Sequence, residues 1–291
     1  MTQTQSSDAA RTITTRRISF DESFRDVPRH FAKDGDLVSS HLLSALSSVF
    51  PDGEDFFVRS VRHFRDQIED PALKRQVAGF IGQESVHGRE HRALNDHLAR
   101  LGYPTKFVER LTKAGLDLRW RVLPAKSNLA LTAALEHFTA TLAELVMTDE
   151  ETRQAFGHDG VRYLFLWHAL EESEHKAVAF DVYRAVGGTE RMRVWTMKVI
   201  RIAFLIGIVA QLVLSLAKDP ATYKRGRLRS SLRGIGTSKL ASRQLWDQLK
   251  EYDQPGFHPN DRDTNALVEY WRTELFGDEG VLKDQLAGSA A

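Results

Sequence analysis

The stretch Trp167-His168-Ala169-Leu170-Glu171-Glu172-Ser173-Glu174-His175 decides how the rest of the chain is read. Its two imidazoles and Glu172 stand at positions 168, 172 and 175. Side chains three and four residues apart on an α-helix share a face, so all three can converge on one point. A second stretch, Phe80-Ile81-Gly82-Gln83-Glu84-Ser85-Val86-His87, repeats the Glu-x-x-His part with Glu84 and His87. One such pair arises easily by chance in a chain with 39 acids and 11 histidines, but two on separate long helices are far rarer. Bundles that hold two metal ions take a Glu-x-x-His from each of two helices and a lone Glu from each of the other two. The helix before the first pair offers Glu54, with neighbouring Asp55 as a rival, and the helix before the second offers Glu136. Both glutamates sit among apolar neighbours, where an uncompensated carboxylate is costly to bury. The expected metal ligands are therefore Glu54, Glu84, His87, Glu136, His168, Glu172 and His175. His91, one turn beyond His87, and Glu171 are the candidates for orienting those ligands. His137 and His258 are read as packing residues.

Working outward, the prolines and glycines mark helix ends. Asp70-Pro71 supplies a capping side chain followed by proline at the first helical position, and Gly102 stops the helix that follows. Helical periodicity predicts further long helices over about 53–68, 127–147 and 160–186, the last ending at Gly187-Gly188. No strand-turn-strand pattern stands out. The expected fold is all-α, a ferritin-like four-helix bundle over 35–190. Residues 1–34 read as a flexible tail and lead-in, and 191–291 as a C-terminal helical extension packed on the bundle.

Composition narrows the function. Forty Lys+Arg and thirty-nine Asp+Glu leave a net charge of +1, which gives no support to nucleic-acid binding. The chain has no cysteine, so disulfides, thiolate nucleophiles and cysteine-held metal centres are excluded and any metal must rest on His, Asp and Glu. No secretory signal is visible; acids at Asp21-Glu22 follow Arg16-Arg17 where a twin-arginine signal needs an apolar run, so a cytoplasmic location is expected. Residues 202–217 carry no charge, and residues 218–243 hold eight basic residues against Asp219 alone, a net of +7. That pairing allows a core helix, a substrate channel or peripheral contact with a membrane surface through 202–243.

Several strings resemble one bacterial family, the "predicted metal-dependent hydrolases": Phe-Pro-x-Gly-Glu at 50–54, Gly-Gln-Glu-x-x-His at 82–87, Trp-His-x-x-Glu-Glu-x-Glu-His-Lys at 167–176 and Tyr-Asp-Gln-Pro-Gly-Phe-His-Pro at 252–259. The resemblance covers roughly residues 35–275 and implies, position by position, the same seven ligands. The extra His168 is similar to the pattern of the p-aminobenzoate N-oxygenase group of di-iron enzymes. That likeness implies two iron ions that activate O2 to oxidise an organic, apolar or aromatic small molecule, with an electron donor as a further partner. The family label implies instead a metal-bound water attacking an ester or amide. A ferroxidase or iron-handling role is a third alternative. Ligand type alone leaves manganese or zinc open beside iron. A homodimer is the expected assembly.

Overall fold

Helix-forming segments dominate because their apolar residues recur at helical spacing, and several starts carry a side-chain cap. The computed structural model describes residues 13–287. Helix α1 runs from Leu37 to Phe64, and Asp36 caps it by accepting from Ser39 N at 2.8 Å. Helix α2, Pro71–Arg100, starts at the Asp70 cap and ends before Gly102 in the left-handed region, as the sequence predicts. An outer helix α3, Thr105–Val122, leads to α4, Ala125–Thr148, and the short α5, Glu150–Ala155. Then come α6, Asp159–His175, and α7, Val178–Ala185. The C-terminal part holds α8, Glu190–Lys218, then α9, Arg227–Thr237, α10, Arg243–Glu251, and α11, Asn265–Phe276. There is no β-strand among the described residues, only an isolated bridge between Ile18 and Leu286.

Helices α1, α2, α6 and α4 each pack on the next around a four-membered ring. Helix α8 lies against α4 and α1, α9 against α1, α10 against α4, and α11 against α6. Most of the core falls into two apolar clusters at opposite ends of the bundle, with a small third one of Leu37, Val38, Leu216 and Ala221. On α2, Val77 and Phe80 belong to one and Leu94 and Leu98 to the other; on α4, Leu129 and Phe138 belong to one and Val146 and Met147 to the other. The residues between them are polar and buried, including Glu54, Glu84, His87, Glu136 and Glu172.

Three boundaries differ from the expectations. Helix α1 runs straight through Pro51 instead of starting after it. Proline has no N–H to give to the carbonyl four residues earlier, which is that of Ser47. Asn95 Nδ2 donates to that carbonyl at 3.0 Å, so a side chain of α2 satisfies the acceptor that the proline leaves open. The predicted helix over 160–186 breaks at Lys176 and Ala177. There the buried Lys176 turns to donate to the Arg262 carbonyl and the Thr264 hydroxyl. The flexible lead-in is ordered from Ile13 onward, while residues 1–12 lie outside the described residues. Ile18, Phe20, Phe24 and Phe31 are buried, Phe20 packs on Trp167 with tilted rings 5.6 Å apart at their centroids, and Phe20 N donates to Glu90 at 2.8 Å. The sequence hid this segment because its apolar residues are too sparse for either helical or strand periodicity.

Gly79 on α2 makes room for that segment, since a Cβ there would stand 2.5 Å from the Ile13 carbonyl oxygen. Gly79→Ala improves helix propensity by about 1 kcal/mol, but the overlap costs about 1–3 kcal/mol. The variant is expected to melt lower and to be cut faster by trypsin after Arg16 or Arg17. A higher melting temperature with unchanged cleavage would contradict this packing.

Candidate metal centre

Each of the four bundle helices turns polar side chains toward the gap between the two apolar clusters. Glu54 comes from α1, Glu84 and His87 from α2, Glu136 from α4, and His168, Glu172 and His175 from α6. All seven are buried, with no more than 3% of any residue exposed. Their donor atoms form two groups of three, each within 4.8 Å: Glu54, His87 and His168 in one, Glu84, Glu172 and His175 in the other. Glu172 Oε1 lies between them, 2.9 Å from His168 Nε2, 3.6 Å from His175 Nε2 and 3.8 Å from His87 Nδ1. Glu136 Oε2 joins the second group at 3.5 Å from His175 Nε2, and Glu54 Oε1 is 3.5 Å from His168 Nε2. The structure thus brings together all seven residues that the sequence singles out. Asp55, the rival to Glu54, points out instead and pairs with Arg92.

The clearest mark of the site is what its atoms lack. Both oxygens of Glu54, Glu84 and Glu136, Oε2 of Glu172, Nδ1 of His87 and Nε2 of His175 are buried without a hydrogen-bond partner. Buried polar atoms are normally paired, and an unpaired ionised group is costly. Two of these nine atoms, Glu84 Oε1 and His175 Nε2, lie 2.9 Å apart as an ion pair, and the other seven face the same gap, an arrangement that fits cations there.

The surrounding hydrogen bonds fix which nitrogen of each imidazole is free. Gln83 donates through Nε2 to the Thr14 carbonyl and to Glu174, so its Oε1 accepts, and the His175 Nδ1–H is the donor at 2.8 Å. Nε2 of His175 is thereby turned toward the gap, 2.9 Å from Glu84 Oε1. His168 is set by a longer chain. Asn95 Nδ2 donates to Glu109 and to the Ser47 carbonyl, so Asn95 Oδ1 accepts from the Ser47 hydroxyl. Ser47 then accepts from His91 Nδ1–H at 3.0 Å, and His91 Nε2 accepts from His168 Nδ1–H at 2.7 Å. His87 donates Nε2–H to Glu171 at 3.0 Å, and Arg16 holds the other Glu171 oxygen at 2.9 Å. Partners of this kind orient metal-binding histidines and set their tautomer. His91 and Glu171 were legible as such candidates. Arg16, Ser47 and Asn95 were not, because their link to the site is tertiary. Gln83 was visible only as part of a motif.

The electrostatics reflect the same crowding: Glu172 and Glu84 raise His175 well above the usual imidazole range against its burial. Burial, then the charges of Glu84 and Glu172, drives the Glu54 carboxyl well above the usual range, and burial with Glu172 and Glu84 does the same to Glu136. Burial also raises Glu84, against the pull of His175. Glu172 is buried as deeply, yet His175 and His168 together hold it well below the usual range. Burial, with His168 nearby, lowers His87 and His91. Burial pushes Glu171 up to about 8 against the pull of Arg16; a cation on His87 would add to that pull.

A third group, His30, His41 and Asp219, lies elsewhere and has a different character. Arg227 can only donate to His30 Nδ1, at 2.9 Å, so His30 Nε2 carries the proton it gives to Asp219 at 2.8 Å. Arg29 also pairs with Asp219. This group is a satisfied polar clamp between the lead-in, α1 and the end of α8. His137 donates to the Gln248 carbonyl and packs on Tyr252 and Phe257, while His258 caps the turn at Pro259–Asp261 and donates to Asp181.

The family described as "predicted metal-dependent hydrolase" matches residues 14–263, and the chain belongs to it. No curated protein and no solved structure matches the chain.

Two measurements probe this arrangement. His91→Phe keeps a ring between Phe50 and Phe165 but strands the His168 Nδ1 proton. Chelator competition should show affinity for one ion falling about 10–100-fold, and unchanged affinity would contradict the relay. Because burial keeps Glu54, Glu84 and Glu136 protonated further up the pH scale, ions must displace protons to bind. Calorimetric titration in buffers of different ionisation enthalpy should therefore register net proton release, and affinity should weaken as pH falls. Equal heats in both buffers would count against it.

Proposed function

We propose that this metal-dependent hydrolase family member is a two-metal enzyme whose ions rest on Glu54, Glu84, His87, Glu136, His168, Glu172 and His175. The observation that carries the proposal is the convergence of unpartnered buried donor atoms into two groups with Glu172 between them. When bound, a pair of divalent cations supplies Lewis acidity and lowers the pKa of a water. The family's description favours hydrolysis as the reaction, and an ester or amide is the bond proposed for it.

The chain's own residues have definite parts in this reading. Gln83, His91 and Glu171 orient the imidazoles so that Nε2 of His175, Nε2 of His168 and Nδ1 of His87 face the gap. Arg16 holds Glu171 in place from the lead-in segment. Phe80, Trp167 and Phe50 stand with ring centroids 5.0, 4.9 and 4.8 Å from His175, His87 and His168, respectively, and exclude bulk water from the imidazoles. A substrate reaching the gap would meet an aromatic wall, which favours an apolar or aromatic group next to the bond that reacts.

A second reading rests on the donor set. Four carboxylates balance the charge of two divalent ions, and a set rich in carboxylates with three imidazoles suits iron or manganese. In a core closed to water this combination supports oxidation of an organic substrate with O2, the chemistry implied by the likeness of the His168 motif to the p-aminobenzoate N-oxygenase group.

The test is to load the protein without oxygen with iron, manganese or zinc in turn, count the ions, and assay p-nitrophenyl esters and anilides. Two ions per chain and oxygen-independent hydrolysis are expected, both lost in Glu84→Gln with His87→Ala. Two ions with turnover only after oxygen is admitted would move the assignment to oxidation. Failure to bind metal would overturn both readings.

A further inference from the structure

Among the described residues two helices are long and apolar enough to cross a membrane, and they sit very differently. Helix α4 is 67% buried over its most apolar window, as a core helix should be, whereas α8 is only 22% buried. One side of α8 packs on the bundle, with Met197, Arg201 and Ile208 inside and Phe204 against Phe138 of α4. The other side faces out. Trp195, Val199, Ile202, Ile206, Val209 and Val213 are each between 47% and 67% exposed. Their spacing alternates between four and three residues, so they form one stripe about 27 Å long at 1.5 Å per residue. Exposed apolar patches of this extent mark contact sites.

The unpaired charges at the rim of the stripe are all basic, since Glu190 in the first turn is taken up by Arg184 and Arg193. Arg191 and Lys198 lie at its N-terminal end, and Lys218, Lys224, Arg225, Arg229 and Arg233 beyond its C-terminal end. All are exposed, and none is paired with a carboxylate among the described residues. Leu228 of α9 and Leu212 of α8 both pack against the cluster of Leu37, Val38, Leu216 and Ala221, which places the basic helix near the C-terminal end of the stripe. An open hollow there is lined by Tyr223, Lys224, Arg225, Arg229, Leu232 and Arg233. Tyr223, 73% exposed, donates its hydroxyl to the Ala217 carbonyl, so one aromatic ring stands at each end of the stripe, Trp195 at the other. A second copy of the chain would bring basic rims together. The surface complementary to an apolar stripe with aromatic ends and a basic rim is an anionic bilayer.

We infer that α8 and α9 dock the protein on anionic lipid, with α8 lying in the plane of the interface and the basic hollow receiving lipid phosphates. The packed reverse side of α8 keeps it on the bundle, so the helix lies on the membrane instead of crossing it. The inference is independent of which reaction the metal centre performs.

Flotation of the full chain with vesicles tests it. The protein should float with vesicles of equal parts phosphatidylcholine and phosphatidylglycerol, should not float with pure phosphatidylcholine, and should be released as salt rises. At about fivefold per basic residue removed, R229Q with R233Q should weaken partitioning about twenty-fivefold. I206S should weaken it about tenfold through lost apolar contact. Both variants change exposed side chains, so their thermal melting should match the parent. Equal binding to neutral vesicles, or no flotation at all, would overturn the inference. So would a dimer in sedimentation that I206S disperses while flotation is absent.

Discussion

Seven ionisable side chains meet in the middle of an apolar bundle, and the structure depends on how their charges are compensated. Four carboxylates placed in a medium of low polarity, closed at both ends by hydrophobic clusters, cannot all ionise without cations. Without them, burial drives Glu54, Glu84 and Glu136 toward the protonated form, and only Glu172, between two imidazoles, is held ionised. Such a layer weakens a fold unless something fills it. Two divalent ions would convert the same layer into the strongest tie between α1, α2, α4 and α6.

The supporting structure can be understood as a set of constraints on proton position. Pro51 leaves the Ser47 carbonyl open, Asn95 answers it, and the same Asn95 sets Ser47, which sets His91 and through it His168. A break in helical bonding is thereby coupled to the tautomer of a candidate ligand. Gly88 belongs to the same region, where a Cβ would come within 3.2 Å of Glu54 Oε2 and 3.5 Å of the Pro51 carbonyl. The lead-in contributes from the opposite side, where Arg16 neutralises Glu171 and Glu174 and so steadies His87 and Gln83.

The seven gap-facing residues were legible because helical spacing alone forces 168, 172 and 175, and likewise 84 and 87, onto common faces. The lone Glu54 and Glu136 followed from the demand that each remaining bundle helix supply one acid. The remainder was hidden for identifiable reasons. Local sequence makes Pro51 look like a helix start, and only Asn95, more than forty residues on, makes it tolerable inside α1. Arg16 sits in a stretch with no periodicity, and its meaning comes from Glu171 and Glu174, over 150 residues away. The uncharged run 202–217 was visible, but only packing shows that one side of it is covered and the other faces out.

Anomalous diffraction at the metal absorption edge, on crystals of protein reloaded after chelation, tests the central claim most directly. Two peaks are expected inside the bundle, one against Glu54, His87 and His168, the other against Glu84, Glu172 and His175, with Glu172 between them. No peak in the bundle, or a peak only at His30, His41 and Asp219, would contradict it.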